Sequence, residues 1–402
     1  MYDAKNVWEE SRGKGVTVAV VDSGVDASHP DLVGNVLPGK DFSRPSIGAH
    51  KDKYGHGTGM ASIIAGHGHG AGNRSGVMGI APEAKILPVR AFKDDKKAMD
   101  WTWPDGVRYA VDQGAEVINL SFKDPNQSAG TKGAKAIAYA LAHDVVVVAG
   151  VGNDGGTVSS TATLPGVVGV TAVDEDLKPW SEANSGEGVV LAAPGVDITS
   201  ATPTTSSGYR KATGTSDATA YVSGIAALLR SKFPDLTAGQ IINRMVKSAD
   251  YLGNAPDKET LGYGIARPGT AMRMDIPKGP KEGPLAQAPS GTESKGSPAE
   301  GNDSSSNESA GKKKKSSSSS GLLIGVGIGV AVLIVVGVIF AVLRSRGNRG
   351  NGGGPGNGGP GGSGGGPSGF PGQQQYPNAA PGQSYPAAPG QAPQQGGPYG
   401  PQ

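Results

Sequence analysis

Cysteine is missing from all 402 residues. Its absence excludes disulfides, thiolate metal sites and a cysteine nucleophile. Histidine is scarce: the chain holds only His29, His50, His56, His67, His69 and His143, so any imidazole chemistry must draw on these. An excess of charge of one sign is lacking too. The net charge is +2, which gives a nucleic-acid partner no electrostatic footing. The opening stretch MYDAKNVWEESRGKG has no basic region followed by an apolar run, so it does not read as a signal peptide.

Glycine and proline are abundant, at 67 and 30 residues, and much of that excess lies beyond residue 345. Apolar residues concentrate in 1–272, enough to build a sizeable core. There, short β-branched runs (16–22, 84–92, 115–122, 145–152, 167–173 and 189–195) predict strands. Between them, helical patterns cover 56–66, 104–113, 131–142, 215–231 and 237–249. Strands alternating with helices predict an α/β fold, a mostly parallel sheet with helices on both faces. Functional groups in such sheets gather at the carboxyl ends of strands. Asp22 and Asn153 lie at two of those ends.

Beyond this unit the composition changes. Residues 273–320 are rich in Pro, Ser, Gly and Lys and read as a linker without a core. Residues 321–343, GLLIGVGIGVAVLIVVGVIFAVL, are uncharged throughout. At about 1.5 Å per residue this run is long enough to cross a lipid bilayer as one transmembrane helix. Residues 344–402 are Gly/Pro/Gln-rich low complexity, where no fold is expected. Lys312–Lys315 precede the apolar run, and Arg344, Arg346 and Arg349 follow it. Counting positive charges therefore does not orient it.

Three segments can carry chemistry. In VAVVDSGVDASHPDL (18–32), a strand ends at Asp22, whose carboxylate can orient an imidazole or simply make a turn. In YGHGTGMASIIAG (54–66), His56 stands at the start of an apolar helix. In GTSDATAYVSG (214–224), Ser216 opens another helix. It is either an N-cap residue or a nucleophile at the positive end of the helix dipole. Taken together, Asp, His and Ser form a complete orienter–base–nucleophile set. Asn153, following strand 145–152, adds a side-chain amide donor for an oxyanion.

These same segments resemble the aspartate, histidine and serine motifs of the subtilisin-like serine proteases, over about residues 8–272. VVVVAGVGND resembles the segment of the oxyanion asparagine, and INLSF the strand that binds substrate backbone. The resemblance implies that Asp22 orients, His56 acts as general base and acid, Ser216 attacks, and Asn153 stabilises the oxyanion. It implies substrate contacts at Asn119, Ser121, Phe122, Lys123 and Gly152, with protein or peptide substrates and no required cofactor. Asp31 resembles a position that helps hold a structural calcium in some subtilases. His67 and His69, in GHGHG, are expected to be solvated rather than metal ligands.

A subtilase unit, a linker and one apolar span resemble mycosins, the membrane-anchored subtilases of type VII secretion systems. That implies type VII secretion components as partners and a single-pass cell-membrane protein. The catalytic unit would face outward and the tail the cytoplasm. The alternative is a mainly structural part of a secretion complex, with proteolysis secondary. The family also implies a signal peptide and a propeptide, which puts residue 1 near the mature N-terminus. The chain departs from the family pattern at several positions. Gly59 stands where many members have a second histidine, Asp217 where methionine or phenylalanine is usual, and Ala220 where proline is usual. Lys123 stands where glycine is common.

Overall fold

The β-branched runs pair into one parallel sheet. The computed structural model describes residues 4–43, 47–92 and 102–287. The uncharged run 321–343 and the tail 344–402 lie outside them. Among the described residues, no helix is long and apolar enough to cross a membrane.

In chain order the strands are β1 (Thr17–Asp22), β2 (Lys40–Asp41), β3 (His67–His69), β4 (Ser75–Met78), β5 (Lys85–Arg90), β6 (Val117–Leu120), β7 (Val146–Gly150), β8 (Val168–Val173), β9 (Leu191–Pro194), β10 (Ile198–Ala201) and β11 (Tyr209–Ala212). The helices are α1 (Ala4–Glu10), α2 (His56–Ala65), α3 (Trp103–Asp112), α4 (Lys132–Ala142), α5 (Thr215–Lys232), α6 (Ala238–Ser248), α7 (Lys258–Leu261) and α8 (Pro268–Arg273). The five helices expected from periodicity are α2 to α6, and the six expected strands are β1 and β5 to β9.

The main sheet has seven strands in the order β2-β5-β1-β6-β7-β8-β9, and its pairings are all parallel. Apart from the short edge strand β2, its strands are buried on both faces, which explains why they read as unbroken apolar runs. Val18, Val20, Val146 and Val148 point into the layer holding α2 and α5. Ala19, Val21, Val147 and Ala149 point into the layer holding α3 and α4. The chain leaves β1 toward β5 on one side and returns to β6 on the other. This reversal opens a crevice at the carboxyl end of β1, where Asp22 is the last residue.

Two antiparallel hairpins, β3–β4 and β10–β11, have no counterpart among the expected strands. GHGHGAGNRSG carries little apolar alternation, so its pairing leaves no period-2 signal. Hydrogen bonding continues past the boundary expected at 272. Residues 274–281 pack along α6 and look like linker only by composition. Arg244 donates to the carbonyls of Met274 (2.8 Å) and Ile276 (3.3 Å), Gln240 to Gly279 (3.1 Å), and Thr237 to Lys281 (2.6 Å).

Candidate active site

β1 ends on a buried carboxylate. Asp22 Oδ1 accepts from the Ser23 N–H at 2.7 Å, and both its oxygens lie 2.9 Å from His56 Nδ1. The contact fixes the imidazole with Nδ1 toward the acid and Nε2 free. His56 opens α2, and a second buried acid sets that helix start. Asp52 accepts from the N–H groups of Gly55 (2.8 Å) and Thr58 (2.8 Å) and from the Thr58 hydroxyl (2.6 Å). The Ser23 hydroxyl donates to Asp52 at 2.9 Å, linking the two acids, and accepts from Gly57 N–H at 3.0 Å. Burial pushes the Asp52 carboxyl above its ordinary range despite these donors. Nothing local in the sequence marked Asp52; its role appears only when 52–58 folds back on itself.

Ser216 lies in the first turn of α5, after Gly214. Its hydroxyl donates to the Ser121 carbonyl at 3.1 Å, and the Ser121 hydroxyl donates to the Ser216 carbonyl at 3.0 Å. Asn119 and Ser223 extend this chain inward: Asn119 Nδ2 donates to Ser121 Oγ (2.9 Å), and Ser223 Oγ to Asn119 Oδ1 (3.0 Å). Asn119 is fully buried. It braces the wall from behind and does not line the cavity, unlike the other expected substrate contacts.

That cavity, about 320 Å³, is bounded by Ser121, Phe122 and Lys123 on one side. Gly150, Gly152, Asn153 and Asp154 lie on the other, with Thr215 and Ser216 between. Asn153 Oδ1 accepts from the Thr215 N–H (2.9 Å) and hydroxyl (2.7 Å). The amide therefore has its oxygen toward α5 and its Nδ2 donors available. Gly152 has φ +115°, and a Cβ there would come within 2.4 Å of Asn184 Nδ2, so only glycine fits. Asp154 and Thr215 also line the cavity, although neither has a signature in the sequence.

Two unusual residues sit behind the imidazole. Asp217 is 3% exposed, and its Oδ1 has no hydrogen-bond partner among the described residues. Arg210, from β11, brings its guanidinium to 3.0 Å from where a Cβ on Gly59 would be. The missing side chain at 59 makes that room. Burial pushes the Asp217 carboxyl up to about 6, against the pull of His56 and Arg210. For His56, burial resists charging, but Asp22, with a smaller contribution from Asp217, raises the imidazole above its usual value.

Asp31 and the GHGHG histidines behave differently from expectation. Asp31 is fully buried. It accepts from His69 Nδ1 (2.6 Å), Val77 N–H (2.7 Å) and the Tyr209 hydroxyl (2.9 Å). His69 is therefore paired through Nδ1, while its side chain stays 38% exposed. A calcium ion needs a shell of oxygen ligands, whereas hydrogen-bond donors surround this carboxylate, so Asp31 and its neighbours do not fit one.

A family model described as the subtilase family matches residues 13–264. The chain is 35% identical over 277 residues to an intracellular serine protease of Paenibacillus polymyxa, covering 65% of this chain and 82% of that one. It is 36% identical over 249 residues to subtilisin E of Bacillus subtilis (strain 168), covering 60% of this chain and 62% of that one. Among solved structures, it resembles the MycP3 protease from the type VII (ESX-3) secretion system. That match has 32% identity and a TM-score of 0.58, over 68% of this chain and 86% of the other. It also resembles MycP1 from Mycobacterium smegmatis, at 30% identity and a TM-score of 0.59, over 71% of this chain and 85% of the other. With a motif-bearing sheet and a family match over most of the folded unit, the chain belongs to the subtilase family of serine endopeptidases.

Proposed function

We propose that the chain cleaves peptide bonds through an acyl-enzyme formed on Ser216. The observation that carries this is the contact between both Asp22 oxygens and His56 Nδ1, 2.9 Å each. It presents Nε2 as the base. In the free enzyme the Ser216 hydroxyl rests on the Ser121 carbonyl. Rotation about its side-chain bond turns it to Nε2 when substrate arrives, as such contacts commonly tighten only then. Ser216 Oγ attacks the scissile carbonyl as its proton passes to Nε2. The resulting oxyanion meets the Asn153 amide and the Ser216 N–H at the start of α5. The imidazolium protonates the leaving amine. Water, activated by the same His56, then releases the acid and restores Ser216.

Likeness to proteases from type VII secretion systems, with the uncharged stretch 321–343, supports a membrane-anchored enzyme working beside such an apparatus. Its catalytic unit would face outward.

A fluorophosphonate probe is expected to label the wild type but neither Ser216→Ala nor His56→Ala. Asn153→Ala should lower kcat by about 10²–10³ with little change in KM. Labelling that survives both triad substitutions would overturn the reading. Full secretion in a Ser216→Ala strain would favour a structural role in the apparatus.

A further inference from the structure

Gly59 and Asp217 both depart from the family pattern, and the charge of one side chain reaches both places. Alternation along β11 turns Tyr209 toward Asp31 and sends Arg210 the other way, toward α2. There its Nη2 lies 3.0 Å, and its Nε 3.5 Å, from where a Cβ on Gly59 would be. Gly59 stands one helical turn after His56, on the same face of α2. A side chain larger than a methyl at 59 would meet the guanidinium. We infer that Arg210 is a positioning residue for the reaction: it is the counter-charge to Asp217 behind His56, and it keeps the imidazole free to act as a base beside an acid. The inference rests on the proposed roles of Ser216 and His56.

The Arg210 charge is not committed elsewhere. Its buried Nε has no hydrogen-bond partner among the described residues, and neither has Asp217 Oδ1. Ser200, opposite Arg210 in the hairpin, brings its Oγ to 3.1 Å from the same point but carries no charge. Asp217 is buried and Arg210 half-buried. A buried carboxylate is strongly unfavourable unless a counter-charge lies nearby.

Few groups face His56. Asp22, at the end of β1, takes Nδ1. From the segment before α2, the Tyr54 ring stacks on the imidazole at 5.8 Å, and Asp52 is tied to Asp22 through Ser23. Asp217 comes from α5 and Arg210 from β11. Asp22 and Asp217 favour the imidazolium, and the Arg210 charge opposes it. An acid beside the nucleophile would, on its own, hold His56 protonated where it must accept a proton. Arg210 offsets that pull.

The test follows the His56 imidazole by NMR across pH in the Ser216→Ala protein, and the acid limb of kcat/KM in the active one. Arg210→Met keeps most of the side-chain length and removes the charge. It should move both the titration and the limb up by about 0.5 pH, so that kcat/KM on the acid side falls about threefold while its plateau holds. Arg210→Lys keeps the charge and should stay within about 0.2 pH of wild type. Arg210→Met combined with Asp217→Asn should bring the limb back close to wild type, because the two changes have opposite signs. Arg210→Gln repeats the measurement if the methionine variant does not fold. An unmoved His56 titration in a folded Arg210→Met or Arg210→Gln protein makes Arg210 a packing residue and overturns the inference. So does a shift in Arg210→Lys as large as in Arg210→Met. Hydrolysis that persists without Ser216 sinks the proposed function instead. Ser216-dependent hydrolysis with an unmoved limb sinks this inference alone.

Discussion

Asp217 is a buried acid placed directly after the proposed nucleophile. Burial raises its folded pKa to about 6, above the ordinary aspartate value of about 4. A raised carboxyl binds its proton more tightly in the folded state, so folding loses stability as pH climbs from about 4 through about 6. The penalty is absent in acid and complete at neutral pH, where the shift corresponds to on the order of 2–3 kcal/mol. In a Ser216→Ala background that prevents self-digestion, Asp217→Asn should raise Tm by roughly 5 °C at pH 8. The gain should vanish near pH 4, and an equal gain at both pH values would refute the linkage. Activity should respond in the opposite sense. The ionised carboxylate favours the imidazolium of His56, so Asp217→Asn should move the acid limb of kcat/KM to lower pH. At this scale the sequence was highly legible. Asp22, His56 and Ser216 announce themselves because each sits in a short, chemically constrained stretch. Asp52 and Arg210 do not: Asp52 acts by folding 52–58 back on itself, a turn with no marker in the residues, and Arg210 arrives from the remote strand β11.

The two hairpins act as clasps around a single carboxylate. Asp31 follows β1, His69 ends β3, and Tyr209 begins β11, and the three meet through Asp31. Burial works against the Asp31 charge, but His69, Val77 and Tyr209 together hold it below the usual carboxylate range. The Tyr209 hydroxyl is correspondingly pushed up to about 12 by burial and by Asp31. A carboxylate with a lowered folded pKa adds stability that is present above about 4 and lost only as pH falls through the folded value. Tyr209→Phe removes one donor from this charge and should cost about 1–2 kcal/mol. In urea titrations the midpoint should fall with an unchanged slope. The deficit should hold from pH 5 to 8 and narrow in stronger acid. A variant as stable as wild type at pH 7 would show that water replaces the hydroxyl without loss. The core elements, α2 to α6 and the central strands, were legible because burial on both faces forces apolar runs and helical spacing. The hairpins were not. They are held by polar pairs to remote residues, and neither the glycine-rich β3–β4 stretch nor the Ser/Thr-rich β10–β11 stretch carries apolar alternation.

For the whole molecule, the question is where the folded unit stops. Composition puts the boundary at 272, whereas hydrogen bonding puts it later. Arg244, Asn243, Gln240 and Thr237 donate to carbonyls between Met274 and Lys281. Arg244, Asn243 and Gln240 are each 7% exposed. Ending the chain at 272 strips those partners and uncovers the seat of Ile276, which is 7% exposed. Water and regained chain entropy offset part of the loss, leaving a net cost on the order of 3 kcal/mol. A truncation series of the Ser216→Ala protein separates this effect from anchoring. A chain ending at 287 should match the full chain in Tm, while one ending at 272 should melt about 10 °C lower. The same series tests the apolar run 321–343. The full chain should stay with membranes after alkaline extraction, and the chain ending at 287 should be soluble. Trypsin added to intact cells has targets at Lys312–Lys315 and should release the catalytic unit while sparing a C-terminal tag. Digestion of the tag with the catalytic unit retained would reverse the proposed orientation. Equal melting of the 272 and 287 chains would return the boundary to where composition alone puts it. The carbonyls of 274–281 would then be incidental to the stability of α6.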